Sequence, residues 1–206
     1  MARGLGVKND QRRNELTEAG LRLVEAHGTE ALTFRRVTQE AGVSLGRTQH
    51  YFGTREKLIK ACFERAQERV QQRVQERLTA IGEDPSPYDV ISASLEALLP
   101  RKPAELAELR VAELFHGLAL TDPALREVLR AGQEDFTAFL AQQISAARAS
   151  EQTRAGLDPT GAAQTLLALA TGLSGGILDG WLSADQAVAL LRDQLRARCA
   201  TDDHDL

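Results

Sequence analysis

Apolar residues recur every three or four positions along most of this chain, which is the spacing of one face of an α-helix. The clearest stripe comprises Leu58, Ile59, Phe63, Ala66, Val70, Val74 and Ile81. No stretch shows a credible alternation of apolar and polar residues, which would mark a half-buried strand. The pattern predicts an all-α protein of about nine helices without an internal repeat.

Capping residues and prolines predict where several helices begin. Asn9 or Asp10 can cap the first helix, because short polar side chains accept hydrogen bonds from the free N–H groups of a helix start. The segment Gly82–Pro87 is the clearest linker, and its last two residues supply a cap and a first-turn proline. Later starts are predicted at Asp122-Pro123, at Asp158-Pro159 and at the capping box Ser183–Gln186.

Charge is distributed unevenly along the 206 residues, whose formal net charge is −4. Residues 1–60 contain 11 Lys and Arg against 7 Asp and Glu, whereas residues 61–206 contain 14 against 22. A basic segment on an acidic remainder confines contact with nucleic acid to the first 60 residues. We therefore expect a DNA-binding domain at 1–60 and a larger helical domain at 61–206.

Other features favour a cytoplasmic protein that needs no metal or organic cofactor. Cys62 and Cys199 show neither CxxC nor metal-ligand spacing, and Cys62 is expected to be a small core residue. Met1 is followed by polar residues instead of the apolar segment of a signal peptide. The most apolar run, residues 162–178, contains polar side chains and predicts a buried helix, not a membrane span.

Residues 33–52 (TFRRVTQEAGVSLGRTQHYF) predict a helix-turn-helix, which is two helices of about two turns joined by a short turn containing glycine. Thr33 can cap the first helix and Ser44 the second, and Gly42 can adopt the positive φ of the turn. Because such a motif places its second helix in the major groove of DNA, residues 44–51 are the predicted recognition helix.

Side chains in and around this motif have the chemistry of base and phosphate recognition. Arginine can pair with guanine, glutamine with adenine, and leucine can contact a thymine methyl group. Thr33 and Tyr51 suit phosphate oxygens, and Lys57 adds positive charge near the start of the following helix. The DNA-binding residues that this chemistry predicts are Thr33, Ser44, Leu45, Arg47, Gln49, His50, Tyr51 and Lys57.

Residues 10–60 resemble the TetR family of one-component repressors. The residues that carry the resemblance are Leu32-Thr33-x-Arg35-x-Val37, Ala41-Gly42-Val43-Ser44-x-Gly46, Tyr51-Phe52 and Arg55-Glu56-Lys57-Leu58. The resemblance implies that Arg35 also falls at or near a DNA-contacting position. The chain departs from the family at Thr48-Gln49, where Leu-Tyr is common, and at Thr38, where a small apolar residue is common. Residues 114–129 and the glycine-rich segment near the end look like the choline-responsive, BetI-like branch.

This resemblance and the charge pattern together predict a homodimeric repressor that a small molecule of unknown identity releases from a palindromic operator in double-stranded DNA. Two protomers are expected to pair through the last two helices, near 158–182 and 184–199. The predicted interface residues are Ala168, Gly172, Gly176, Gly180, Val188, Leu191 and Leu195. The glycine repeat favours close helix contact, and a broken helix beside a cavity is the alternative.

Candidate contacts to the effector come from helices that should face the core of the larger domain. They are Arg110, Glu113, His116, Phe136, Phe139 and Trp181. For His116 the preferred interpretation is a hydrogen-bonded core histidine, and Trp181 fits interface packing as well as a pocket wall. Arg65, Arg69, Arg73 and Arg77 alternate with glutamates and predict a solvated helix face with ion pairs one turn apart.

Two further functions compete with the regulator. Gly172-Leu-Ser174-Gly-Gly176 matches the GxSxG motif of hydrolases, but that motif requires a strand before the serine, and here it lies in a helical pattern. We therefore expect no enzyme activity from Ser174. A DNA-binding protein without an effector is the other alternative.

Overall fold

The computed structural model of the chain describes residues 3–149 and 157–199, with side chains at positions 12–46, 49, 51–147 and 157–197. Within these residues it contains nine α-helices, a short 3₁₀ helix at Thr29–Ala31 and no strand, which confirms the all-α prediction. The helices are α1 (Arg3–His27), α2 (Phe34–Glu40), α3 (Leu45–Phe52), α4 (Arg55–Ile81), α5 (Pro87–Glu96), α6 (Pro103–Ala119), α7 (Pro123–Ala149), α8 (Pro159–Leu178) and α9 (Ala184–Cys199).

Most predicted helix starts are correct, because a capping hydrogen bond joins residues that are only two or three positions apart. The side chain of Ser86 accepts from the backbone N–H of Asp89, which completes a capping box. The Asp158 carboxylate accepts from the N–H groups of Thr160 and Gly161. The start of α1 was predicted wrongly at Asn9 or Asp10, because the helix already begins at Arg3 and no proline interrupts it there.

The chain divides into two compact units, each of which is built from two separate segments of the sequence. Unit 1 comprises Met1–Arg69 and Arg101–Arg126, and unit 2 comprises Val70–Pro100 and Glu127–Leu206. The long helix α4 therefore contributes its first half to unit 1 and its second half to unit 2. Helix α6 belongs to unit 1, together with the helix-turn-helix.

The core of unit 1 is formed where α1 packs against α2, α4 and α6. Its fully buried side chains include Leu16, Val24, Val37, Leu58, Ile59, Val111 and Phe115. Gly20 permits a close approach between α1 and α4, since an added Cβ would lie 2.8 Å from the Sγ of Cys62. Cys62 is buried as predicted, and burial raises the pKa of its thiol to about 12.

The core of unit 2 is centred on α8, which packs against α5 and α9. Ala163, Leu166 and Ala170 of α8 are fully buried beside Leu140 and Ile144 of α7. Helix α8 is long and apolar enough to cross a membrane by length and composition. One face of α8 lies in the core of unit 2, whereas Ala168 and Gly172 on another face are exposed, so the prediction of a buried helix is confirmed for one face only.

The arginine row of α4 differs from the prediction of a solvated face. Arg65 forms the expected pair with Glu68, but it also donates to Glu18 of α1 at 2.5 Å. Arg69 pairs with Glu108 of α6. In unit 2, Arg73 donates to the carbonyl of Ala97, and Arg77 pairs with Glu96 of α5. Because these partners are distant in sequence, the arginines hold α4 against other helices.

Candidate DNA-binding surface and C-terminal site

The helix-turn-helix has the predicted backbone geometry. Gly42 has a φ of 65°, which glycine adopts without the steric cost other residues incur. The turn is closed by the N–H of Val43, which donates to the carbonyl of Thr38 at 3.0 Å. Thr38 is buried, and its hydroxyl donates to the carbonyl of Phe34, so the polar group that departs from the family pattern has a partner.

The two predicted caps of this motif behave differently. The Thr33 side chain accepts from the N–H of Arg36 at 3.4 Å, which confirms it as the cap of α2. Ser44 occupies the cap position of α3 with extended backbone, but its side chain makes no capping hydrogen bond. The prediction that Ser44 satisfies this helix start is therefore wrong. The residue is exposed, and α3 begins without this bond.

Helix α3 presents polar and apolar groups outward at one side of unit 1. Leu45 is 45% exposed and Gln49 is exposed, whereas Phe52 at the end of the helix is buried. Tyr51 is half-buried, with its ring centroid 6.5 Å from that of Phe52. Arg47 and His50 belong to α3, and their side chains lie outside the described residues.

The start of α4 lies directly after the recognition helix. Gly53 ends α3 with a φ of 70°, and the Thr54 hydroxyl accepts from the N–H of Lys57 at 3.3 Å. The side chains of Lys57 and Arg35 are exposed. The positive end of the α4 dipole and Lys57 together suit an anion.

Arg55 is a residue whose role was not predicted. Its Nε donates to the carbonyl of Leu32 at 3.2 Å, which ties the start of α4 to the residue before the Thr33 cap. The sequence identified Arg55 only as part of a motif, because a contact across 23 positions leaves no local signal.

The six candidate effector residues fall into two groups. Arg110, Glu113 and His116 belong to unit 1, and Phe136, Phe139 and Trp181 belong to unit 2. The ring centroids of Phe136 and Phe139 lie 6.2 Å apart with nearly parallel planes. Trp181 is 69% exposed and packs against Gly176.

The prediction of a buried core position for His116 is wrong. His116 is exposed, and its ring centroid lies 6.3 Å from that of Phe63. Its neighbour Phe115 is the buried residue and stacks on Phe63 at 4.4 Å. On α6 the apolar face therefore runs through Phe115, which turns the next residue to the solvent.

The predicted glycine face is only partly continuous. Ala168 and Gly172 are exposed on α8, and an added Cβ at Gly172 would meet no described atom within 4 Å. Gly176 is covered by Trp181 of the same chain. Gly180 lies beyond the end of α8 with a φ of 78°, so it ends the helix and cannot extend its face.

The predicted interface residues of α9 also require correction. Val188, Leu191 and Leu195 are buried in the core of unit 2 within the single chain. They are therefore already covered before any partner is bound. Among the described side chains of α9, the exposed large apolar one is Leu190.

Ser174 does not have the environment of a catalytic nucleophile. It lies within α8, it is buried, and its Oγ is 2.8 Å from the carbonyl oxygen of Ala170 and 3.0 Å from that of Leu98. The motif of a hydrolase needs a strand before the serine and a helix after it. The described residues before Ser174 are helical, so this serine lacks the strand that the hydrolase motif requires.

Two family models match separate parts of the chain. The model described as "Bacterial regulatory proteins, tetR family" matches residues 16–62. The model described as "BetI-type transcriptional repressor, C-terminal" matches residues 87–200, which is more than half of the chain. The chain belongs to the TetR family. Its C-terminal part is of the BetI type, as the resemblance implied.

Relatives agree with this TetR-family assignment. The repressor AcnR of Corynebacterium efficiens is 34% identical over 47% of this chain and 54% of its own length. The regulator BetI of Vibrio vulnificus is 24% identical over 89% of this chain and 90% of its own length. The regulator PksA of Bacillus subtilis is matched over 30% of its length. The chain therefore spans about half of the length of AcnR and less than half of the length of PksA.

Solved structures show the same fold over most of the chain. A TetR-family regulator from Rhodococcus sp. superposes with a TM-score of 0.77 and 25% identity, covering 93% of this chain and all of its own. A regulator from Saccharomonospora viridis in complex with choline has a TM-score of 0.78 and 18% identity, covering 93% and 99%. Because its identity is only 18%, the regulator from Saccharomonospora viridis shows similarity of fold alone.

Proposed function

We propose that this TetR-family protein is a cytoplasmic, homodimeric repressor that binds a palindromic operator and leaves it when a small molecule binds. Residues 1–60 supply the surface that contacts DNA. Residues 61–206 supply the effector site and the contact between protomers. The proposal needs no metal or organic cofactor and no catalytic step.

The observation that carries the proposal is the exposed side of α3 beside the capped start of α4. Leu45 and Gln49 are exposed at positions i and i+4, so they lie on one face of the helix. These side chains suit a thymine methyl group and an adenine edge, whereas Lys57 and the α4 dipole suit a phosphate. Reading of bases and attraction of phosphates are thus combined within one short segment.

The proposed dimer would use the exposed face of α8 together with Leu190 of α9. On α8 this face carries Gln164, Thr165, Ala168, Thr171 and Gly172. Small residues at 168 and 172 would allow two copies of the helix to approach closely. A twofold arrangement of this kind also matches a palindromic operator, because each protomer would bind one half-site.

For the effector we propose a small molecule that contacts residues between 61 and 182. The proposed contacts are the aromatic side chains of unit 2, which are Phe136, Phe139 and Trp181. A small-molecule site typically combines an apolar wall with a few polar groups that orient the ligand. The protein is released from the operator if the effector binds the DNA-free form more tightly than the DNA-bound form.

Selection from a pool of random double-stranded DNA tests the proposal directly. We expect one enriched inverted repeat, bound by two chains, with an affinity that falls steeply as salt rises. Enrichment of no sequence, with salt-sensitive binding to every duplex, would contradict the operator and would favour a non-specific DNA-binding protein. Binding by a single chain would contradict the dimer.

A further inference from the structure

Glu108 is a buried carboxylate in the unit that contains the helix-turn-helix. It lies on α6, which the C-terminal family model covers, yet α6 belongs to unit 1. Glu108 is only 4% exposed, and Nη1 of Arg69 lies 3.1 Å from its Oε1. A buried carboxylate is costly unless cations and hydrogen bonds compensate it, so this position is held by specific contacts.

Arg69 continues the contact from α6 to α1. Its Nη2 pairs with Oε2 of Glu18, and the other oxygen of Glu18 accepts from Nε of Arg65 at 2.5 Å. Burial by itself raises the pKa of Glu18, but the hydrogen bonds from Arg65 and Arg69 outweigh it and hold that pKa below its usual range. The carboxylates of α1 and α6 are therefore joined through one guanidinium of α4.

A second contact between α6 and α4 is apolar. Phe115 of α6 stacks on Phe63 of α4 at a centroid distance of 4.4 Å, and both rings are buried. Helix α6 is thus fixed to α4 by a charged and an aromatic contact. Because these lie two turns apart on α6, they define its orientation as well as its distance.

Helix α1 in turn supports the helix-turn-helix. Gly20 of α1 lies so close to Leu32 that an added Cβ would be 3.0 Å from its Cδ1. Leu32 directly precedes the Thr33 cap, and its carbonyl accepts the hydrogen bond from Arg55. A shift of α1 would therefore reach the segment from which α2 begins.

We propose that Glu108 is a positioning residue for operator binding, acting from α6 through Arg69 on α1 and α4. The proposal rests on the proposed function and adds a residue that the DNA-binding motif does not contain. Helix α6 then takes part in recognition of the operator, so a change at α6 alters the sequence-specific affinity for DNA. Non-specific attraction to phosphates, which needs only the surface charge, should not depend on this contact.

A charge-matched pair of variants tests the proposal. Glu108→Gln and Glu25→Gln each remove one negative charge from unit 1, and Glu25 is exposed on α1. Loss of a negative charge by itself favours DNA binding, so Glu25→Gln should bind the selected operator as well as the wild type or more tightly. Glu108→Gln should bind it roughly tenfold more weakly, within the usual range of coupling between sites.

The ratio of specific to non-specific affinity separates positioning from a general loss of structure. Both affinities are measured at about 10 °C, where stability is near its maximum, on protein whose helicity matches the wild type. Glu108→Gln should lose affinity for the operator and keep its affinity for an unrelated duplex. The double variant Glu108→Gln, Arg69→Gln should lose less affinity than the sum of the two single losses, since the two side chains share a contact. Additive losses would overturn the proposal, as would wild-type operator affinity in Glu108→Gln.

Hydrogen exchange on the DNA-free protein tests the contact without any operator. Glu108→Gln should accelerate amide exchange in residues 12–27 of α1, whereas Glu25→Gln should leave the helix core unchanged. Unchanged exchange in both variants would overturn the proposal. If the wild type enriches no duplex at all, the proposed function fails, and the exchange result still decides whether Glu108 holds α1.

Discussion

The indole of Trp181 lies directly over Gly176, at the end of the helix that it follows. A Cβ at position 176 would lie 2.6 Å from Cζ2 of the indole and 2.9 Å from Cε2. The N–H of Leu182 donates to the carbonyl of Gly176, and Gly180 has a φ of 78° in the connecting turn. The chain can therefore fold back onto α8 because position 176 has no side chain.

Helical spacing assigns Gly172 and Gly176 to one face of α8. Because only Gly176 is covered by Trp181, the two positions should respond differently to substitution. Gly176→Leu should displace Trp181 in its own chain and change the emission of this single tryptophan. Gly172→Leu should instead weaken the dimer, since overpacking costs roughly 1–3 kcal/mol per site and a twofold contact contains the site twice. Sedimentation measures the second effect. A Gly172→Leu protein that remains dimeric at the lowest concentrations would contradict the proposed α8 contact.

Two glycines within helices should respond in opposite directions to alanine. Gly20→Ala should destabilise unit 1 by about 1–3 kcal/mol, because the new methyl group meets Cys62 and Leu32 in a packed core. Gly132→Ala in α7 meets no described atom within 4 Å and should stabilise the protein by about 0.5–1 kcal/mol through helix propensity. Urea unfolding gives both values, and a shift of the same sign in both variants would refute this account.

Glu96 should make stability depend on acid. Its carboxylate is buried and accepts from Nε of Arg192 at 2.6 Å and from Nη1 of Arg77 at 2.9 Å. Burial raises the pKa of Glu96, but the hydrogen bond and charge of Arg192, followed by the charge of Arg77, hold it below the usual 4.5. The unfolded chain therefore binds the proton more readily, and the stabilisation present above about pH 4.5 is lost as pH falls through the lowered pKa.

Glu96→Gln should accordingly lower the free energy of unfolding by about 2 kcal/mol at pH 7, because a charged hydrogen-bond acceptor is lost. The difference from the wild type should shrink as pH falls through the lowered pKa. Glu83→Gln, at an exposed position in the linker, is the matched control and should leave the pH profile unchanged. A difference between Glu96→Gln and the wild type that is constant with pH would show that the charge of Glu96 does not matter.

The sequence was sufficient for features that are decided locally. The cap at Thr33, the positive φ of Gly42 and the start of α8 at Asp158 each depend on residues within one turn. Helical periodicity likewise predicted the buried stripe of α4 from Leu58 to Ala66. The position of the helix-turn-helix therefore follows from the order of its residues.

Contacts between distant residues could not be predicted in the same way. Arg69 and Glu108 are 39 positions apart, and the neighbouring glutamates of α4 suggested local pairs instead. The rotation of α6 that buries Phe115 and exposes His116 is set by packing against Phe63. The glycine repeat failed because helix α8 ends before Gly180, and spacing alone does not reveal where a helix stops.

The affinity of four variants for the selected operator and for its single-base substitutions shows whether α3 recognises bases. Gln49→Ala and Arg47→Ala should each relax the preference at one base step by about 1–3 kcal/mol, because these side chains are proposed to contact bases. Lys57→Ala and Tyr51→Phe should weaken binding to every duplex about equally, because phosphate contacts carry no sequence information. Equal losses on all duplexes for all four variants would contradict the assignment of α3 as the recognition helix.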